Sequence, residues 1–179
     1  MNRPKIINLF GGPGCGKSTT AAGLFYEMKK MRLEVELVTE YAKDMVWEGR
    51  YNILDDQIYI FAKQHRRIAR LVGHGVEWVI TDSPIPLGLV YLRDGALSTS
   101  FHSLVMEVFN TYDNHNFLLQ RNFEYNPIGR NQKDIEEARR YDDKVMSILD
   151  ASCVRFETIL GGELAVPVII EKLGIRQQA

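Results

Sequence analysis

The sequence predicts an α/β fold, a parallel sheet with helices on both faces. Short apolar runs of strand length alternate with longer stretches of helical periodicity, glycines punctuate the joins, and a glycine-rich turn links the first run to the first helical stretch. Parallel neighbours need a crossover connection, and a helix between successive strands supplies it.

The elements follow in order. Ile6, Ile7, Leu9 and Phe10 form an apolar run that glycines close, as in a buried parallel strand. Residues 18–31 place Ala21, Ala22, Phe25 and Met28 at helical spacing with no proline, which predicts a helix. Val35, Leu37 and Val38 form a second strand. A long helix over about 54–72 follows, ended by Gly73 and Gly75, which take the left-handed turn at little cost. Residues 76–81 are a third strand. Helical stretches over 86–93 and 100–112 lead to a fourth strand at 116–120, and 134–149 is a helix with its acidic residues early. Residues 154–160 form a fifth strand, and a break at Gly161-Gly162 precedes a closing helix with Pro167 in its first turn. Between them, 121–133 is polar and aperiodic. Loops of about a dozen residues are uncommon in compact domains and often functional.

The 179 residues fit one domain, 1–179, with 22 Lys and Arg against 23 Asp and Glu and a net charge of -1. Two cysteines, Cys15 and Cys153, do not make a secreted disulfide scaffold and suit a reducing, cytoplasmic compartment. A hydrophobic fraction of 45% and a charged fraction of 25% exclude wholesale disorder. No apolar run approaches the roughly 18 residues of a membrane span, and residues 1–5 lead into a strand, so neither a membrane partner nor a secretory signal is expected. Balanced charge and a pI of about 6.4 argue against coating nucleic acid by bulk electrostatics.

Chemistry concentrates at the first strand-to-helix turn. Gly11-Gly12-Pro13-Gly14-Cys15-Gly16-Lys17-Ser18 matches G-x-x-x-x-G-K-[ST], the P-loop, with a strand before it and a helix after it. Glycines let backbone N–H groups converge on an anion, and the helix N-terminus adds partial positive charge. Gly12, Pro13, Gly14, Cys15, Gly16, Lys17, Ser18 and Thr19 are therefore the ATP-binding candidates, with Lys17 reaching the β and γ phosphates and Ser18 ligating Mg²⁺. The Cys15 side chain is expected to be a small filler.

Two further strands deliver carboxylates to the same sheet edge, where open α/β sheets bind ligands. Asp82 follows the third strand and is the second candidate for Mg²⁺, with the alternative that it caps a turn. Glu40 follows the second strand and is a candidate base for an acceptor hydroxyl, with the alternative that it caps the next helix. Tyr41, Gln57 and Gln64 are candidates for acceptor binding. The two glutamines are two helical turns apart and share a face, and their amides can read a nucleobase, although at least one is expected to serve surface solvation. Arg121 and Arg130, on the loop with its Gly129 hinge, are candidates to close over the transferring phosphate, ahead of Arg139 and Arg140.

Together, the P-loop, Thr39-Glu40-Tyr41-Ala42-Lys43, the glutamines, Thr81-Asp82-Ser83-Pro84 and the arginine loop resemble the P-loop nucleoside and nucleotide kinases. Among them, the chain is most similar to small kinases like the nicotinamide riboside kinase domain and to bacteriophage-encoded relatives. The resemblance implies a three-layer fold with a five-stranded parallel core and a LID-like loop at 121–133. It also implies ATP and Mg²⁺ as the donor system, an acceptor pocket beside the second-strand edge, and adenine near Gly161-Gly162. The reaction implied is transfer of the γ-phosphate of ATP to a nucleoside or nucleotide. Deoxyribonucleoside kinases typically carry Glu-Arg where this chain has Asp82-Ser83, a departure from their pattern.

Two alternatives stay open. One is a phage-type kinase of 5-hydroxymethyluracil in DNA, acting in the host cytoplasm, with Lys43, Arg50, Arg66, Arg67 and Arg70 contributing a basic groove. The other is an NTPase or regulatory NTP-binding switch. A GTPase is set aside because Asn-Lys-x-Asp is absent, and an AAA-type ATPase because the chain is short for one. Oligomeric state is not legible, although small kinases of this kind often form homodimers.

Overall fold

The computed structural model describes residues 3–93, 97–128, 130 and 132–176. Strand β1, Lys5–Phe10, is the centre of the sheet because both of its faces are apolar. Ile7 and Leu9 point to one side, Ile6 and Phe10 to the other. With β2 (Val35–Val38), β3 (Trp78–Thr81), β4 (Asp113–Gln120) and β5 (Glu157–Leu160) it forms a five-stranded sheet in the order β2-β3-β1-β4-β5. All four pairings are parallel.

Helices α1 (Lys17–Lys30) and α7 (Ala165–Lys172) cover one face, where Ala21, Leu24 and Met28 meet Ile7, Leu9, Phe117 and Ile169. The other face packs against α4 (Gln57–Ala69), α5 (Thr99–Phe109) and α6 (Ile135–Ala151) through Ile68, Phe101, Val105, Phe109, Val145 and Leu149. The result is the expected three-layer α/β fold. Asn8 alone interrupts the apolar central strand. It is buried, and its amide donates to Oδ1 of Asn114 and Asn116 in β4 at 2.8 and 2.9 Å, which meets the requirement that buried polar groups be paired.

Several expected boundaries are corrected. The helix predicted over 54–72 starts only at Gln57, because Asp56 accepts the Tyr59 N–H at 3.1 Å and caps it. Ahead of it lie two short helices the periodicity did not separate, α2 (Tyr41–Trp47) and α3 (Tyr51–Leu54), with Gly49 left-handed between them. The stretch expected to be helical over 86–93 is a 3-10 helix, Ile85–Tyr91, in a segment where Pro86 has no N–H to donate. Strand β4 begins three residues early because Asp113, Asn114 and His115 pair with Lys5, Ile6 and Ile7. Strand β5 begins three residues late, since Cys153 and Val154 still bond back to Asp150 and Leu149 of α6. Among the described residues, no helix is long and apolar enough to cross a membrane.

The turn after β5 is pressed against the P-loop. Gly161 donates to the Gln120 carbonyl at 2.9 Å, and a Cβ at Gly161 would lie 1.9 Å from the Cys15 carbonyl oxygen. Gly161→Ala must therefore displace backbone. We expect a cost of about 1–3 kcal/mol and a drop of several degrees in thermal melting temperature. An unchanged Tm would show that the contact constrains nothing.

Candidate active site

The P-loop leaves β1 at the carboxyl edge of the sheet and enters α1 through Gly16, whose φ of 95° suits glycine. Lys17 folds back over the loop, and its Nζ donates to the carbonyls of Gly11 and Gly12 at 2.7 and 2.8 Å. Cys15 is fully buried in the core and acts as the expected filler.

Because β3 pairs with β1, Asp82 emerges beside the start of α1. Ser18 Oγ donates to Asp82 Oδ2 at 2.7 Å. The Ser83 N–H turns instead to Thr81 Oγ1 at 3.1 Å, so no turn-capping bond competes for the Asp82 carboxylate. Asp82 is 4% exposed, and its Oδ1 has no hydrogen-bond partner among the described residues. An orphaned carboxylate oxygen next to a hydroxyl is a donor set that fits Mg²⁺, which takes one or two protein oxygens and completes its shell with phosphates and water. Among the described residues, no group of three or more His, Cys, Asp or Glu forms an all-protein cage.

Glu40 occupies the N-cap position of α2, yet its side chain makes no capping bond. Gln64 satisfies this segment instead, with its Oε1 accepting the Tyr41 N–H at 2.9 Å and its Nε2 reaching the Thr39 carbonyl at 3.4 Å. Glu40 is left facing the cleft, partly open to solvent but closely surrounded by protein. Burial raises its pKa above the ordinary value of 4.5, Lys17 opposes the shift, and the charge of Asp82 adds to it.

These groups line a 550 Å³ cleft, whose walls also include Leu54, Gln57, Ile60, Phe61, Ile85 and Leu87. Both glutamines are buried, at 6% and 5% exposure, against the expectation that one would solvate the surface. They share the inward stripe of α4 with Ile60 and Ile68. Gln57 donates to the Leu54 carbonyl at 2.6 Å, while its Oε1 is buried with no partner among the described residues. Tyr41 does not line the cleft. Its hydroxyl bonds Tyr59 at 3.1 Å and its ring packs on Tyr59 and Arg67.

Of the loop arginines, Arg121 lies against the P-loop, held by Asp142 at 3.0 Å. Arg130 lines the cleft, bonded to the carbonyls of Asn126 and Ile128. Arg139 and Arg140 are exposed on α6, and the Gly129 hinge lies outside the described residues. In the proposed basic groove, Arg50 pairs with Glu48 and Arg67 with Asp44, so two of its five cations are engaged locally.

Sequence reasoning missed Asp142, which accepts the Gly12 N–H at 2.9 Å, and the cleft residues Tyr91, Gln132, Tyr141 and Lys144. Tyr91 and Tyr141 stack with ring centroids 5.0 Å apart, and burial raises the Tyr91 pKa well above 10.0. No spacing rule links these positions to the P-loop, because they meet it only through packing.

The profile of an AAA domain matches residues 6–164. The chain belongs to the AAA-domain family. Its modest length, the reason for setting an AAA-type ATPase aside, therefore does not keep it outside that family. Its fold is that of the P-loop nucleoside and nucleotide kinases. The NadR protein in complex with NAD and AMP-PNP superposes with a TM-score of 0.68 at 16% identity, over 98% of this chain and 51% of that one. NadR in complex with NR gives 0.67 at 15% identity, over 98% and 52%. This chain thus spans about half the length of the NadR chains. Deoxyadenosine kinase from M. mycoides, with products dCMP and a flexible dCDP bound, gives 0.54 at 15% identity, over 94% and 98%. No curated protein matches the sequence.

The raised Glu40 pKa has a stability consequence. A carboxyl whose folded pKa exceeds its unfolded value adds stability below the unfolded pKa and loses it as pH rises through the folded one. Glu40→Gln, which stays neutral, is expected to melt at a higher temperature than the parent at pH 7–8, with the difference vanishing near pH 4. A lower Tm at pH 7–8 would contradict that environment.

Proposed function

We propose that this chain is an ATP- and Mg²⁺-dependent kinase that phosphorylates a hydroxyl of a nucleoside-like acceptor. One observation carries the reading: the Ser18–Asp82 pair, Lys17 and Glu40 line one cleft together with apolar walls and with Gln57, whose buried amide oxygen has no partner among the described residues. A P-loop that only hydrolyses a nucleotide does not need apolar walls of this kind.

In this reading, the loop N–H groups and Lys17 hold the triphosphate, with Lys17 exchanging its two carbonyl partners for phosphate oxygens. Ser18 and Asp82 would hold Mg²⁺, whose positive charge would offset that of the donor phosphates. Glu40 accepts the acceptor's hydroxyl proton as that oxygen bonds to the γ-phosphorus and the bridging bond to ADP breaks. A base whose pKa burial raises above its ordinary value suits this step, because proton transfer is most effective when the base's pKa lies nearer the working pH. An acceptor that is already a phosphate needs no such base. Gln57 Oε1 accepts an N–H from the acceptor's base, and Arg130 closes over the transferring group.

Labelled ATP mixed with nucleosides, nucleotides and 5-hydroxymethyluracil DNA tests the reading. Label on a nucleoside supports it. Label only on a nucleotide, on DNA or as free phosphate would replace it with a nucleotide kinase, the DNA kinase or an NTPase. Lys17→Ala is expected to lower transfer about a hundredfold or more with the fold retained, as loss of a phosphate-stabilising donor does. Glu40→Gln should cut kcat by about 10²–10⁴ with little change in ATP affinity, and abolish the acid limb of the pH–rate profile. Equal losses in kcat and ATP affinity would reassign Glu40 to donor binding.

A further inference from the structure

Asp142 lies on α6, far in sequence from both groups it joins. Its Oδ1 accepts the Gly12 N–H at 2.9 Å, a bond that ties the P-loop to a helix outside it. Both carboxylate oxygens accept from Arg121 Nη2, at 3.2 and 3.0 Å, and Oδ2 also accepts from Nε at 3.3 Å. The guanidinium is planar, so fixing Nε and Nη2 fixes the direction of the remaining arm. That arm, Nη1, is buried and has no partner among the described residues. It points at the middle of the P-loop, where a Cβ on Gly14 would lie 3.1 Å from it.

Gly12 and Gly14 are each required to be glycine, for separate reasons. A Cβ on Gly12 would fall 2.2 Å from Asp142 Oδ1, and Gly14 combines a φ of 76° with the close approach of Arg121 and the Tyr125 ring. The Arg121 side chain is only 11% exposed, so a buried guanidinium edge with unused donors faces an anion-binding loop. Leaving such donors unpaired is costly, and a phosphate oxygen would satisfy them.

We propose that Asp142 is a positioning residue: it grips the P-loop at Gly12 and Arg121 at two nitrogens, so that Arg121 Nη1 is presented to the phosphates of a nucleotide bound in the loop. This rests on the nucleotide site proposed above but not on any acceptor.

The test is a double-mutant cycle of Asp142→Asn with Arg121→Lys, read as the affinity for Mg·ATP using a fluorescent ATP analogue, without acceptor. Asparagine still accepts from Gly12 through Oδ1 but loses the negative charge and the second oxygen, which takes Nε and Nη2 of Arg121, and lysine keeps the charge but loses the fork. In the parent, Arg121→Lys is expected to weaken binding about tenfold; in Asp142→Asn, by about threefold or less, because the arm is no longer aimed. Losses that multiply across the two backgrounds overturn the proposal and leave Asp142 a structural brace, which would show only in Tm. Should Asp142→Asn not fold, Asp142→Ser takes its place in the cycle with the same two outcomes. If the cycle couples while no acceptor is phosphorylated, the positioning role stands and the kinase reading falls.

Discussion

Close backbone approach around the P-loop is the constraint on which the site is built. Anion binding needs N–H groups to converge, and convergence leaves no room for Cβ atoms. The same lack of side chains lets neighbours press in. Asp142 reaches Gly12, Arg121 and Tyr125 reach Gly14, the Phe123 ring covers Gly16 and Gly162, and Gly161 sits against the Cys15 carbonyl. The loop is thus held from outside by the 121–125 segment, by α6 and by the turn after β5. Its shape is a tertiary property expressed through glycine.

Electrostatics at the cleft follow from that packing. Lys17 rests on loop carbonyls, Ser18 ties Asp82, and Glu40 is held close to both charges without a capping bond of its own to relieve desolvation. Burial is the main reason that Glu40 keeps a raised pKa, with the charge of Asp82 adding to it and Lys17 and Lys43 opposing it.

The alternation of apolar runs and helical stretches is legible along the chain because the central strands are buried on both faces. The P-loop is legible because its chemistry is local and contiguous. Asp82 and Glu40 can be placed from their strand ends alone. Boundaries fail where local pattern loses to other forces: β4 extends through Asp113, Asn114 and His115 because the ladder with β1 outweighs their polarity, and Pro86 turns a helical run into 3-10 geometry. Along the chain, Asp142 is only a charge offsetting nearby arginines, since nothing in its local surroundings connects it to Gly12.

Gln57 and Gln64 mark the division between the two levels most clearly. Their seven-residue spacing puts both on one helical face, and the structure buries both there. What each amide does is settled only by what it meets. Gln64 is consumed by the Thr39 carbonyl and the Tyr41 N–H, whereas the buried Oε1 of Gln57 has no partner among the described residues. Periodicity along the chain dictates direction, because a helix has one geometry. Partners come from segments remote in sequence, so the fate of a hydrogen bond is decided only once the chain has folded around it.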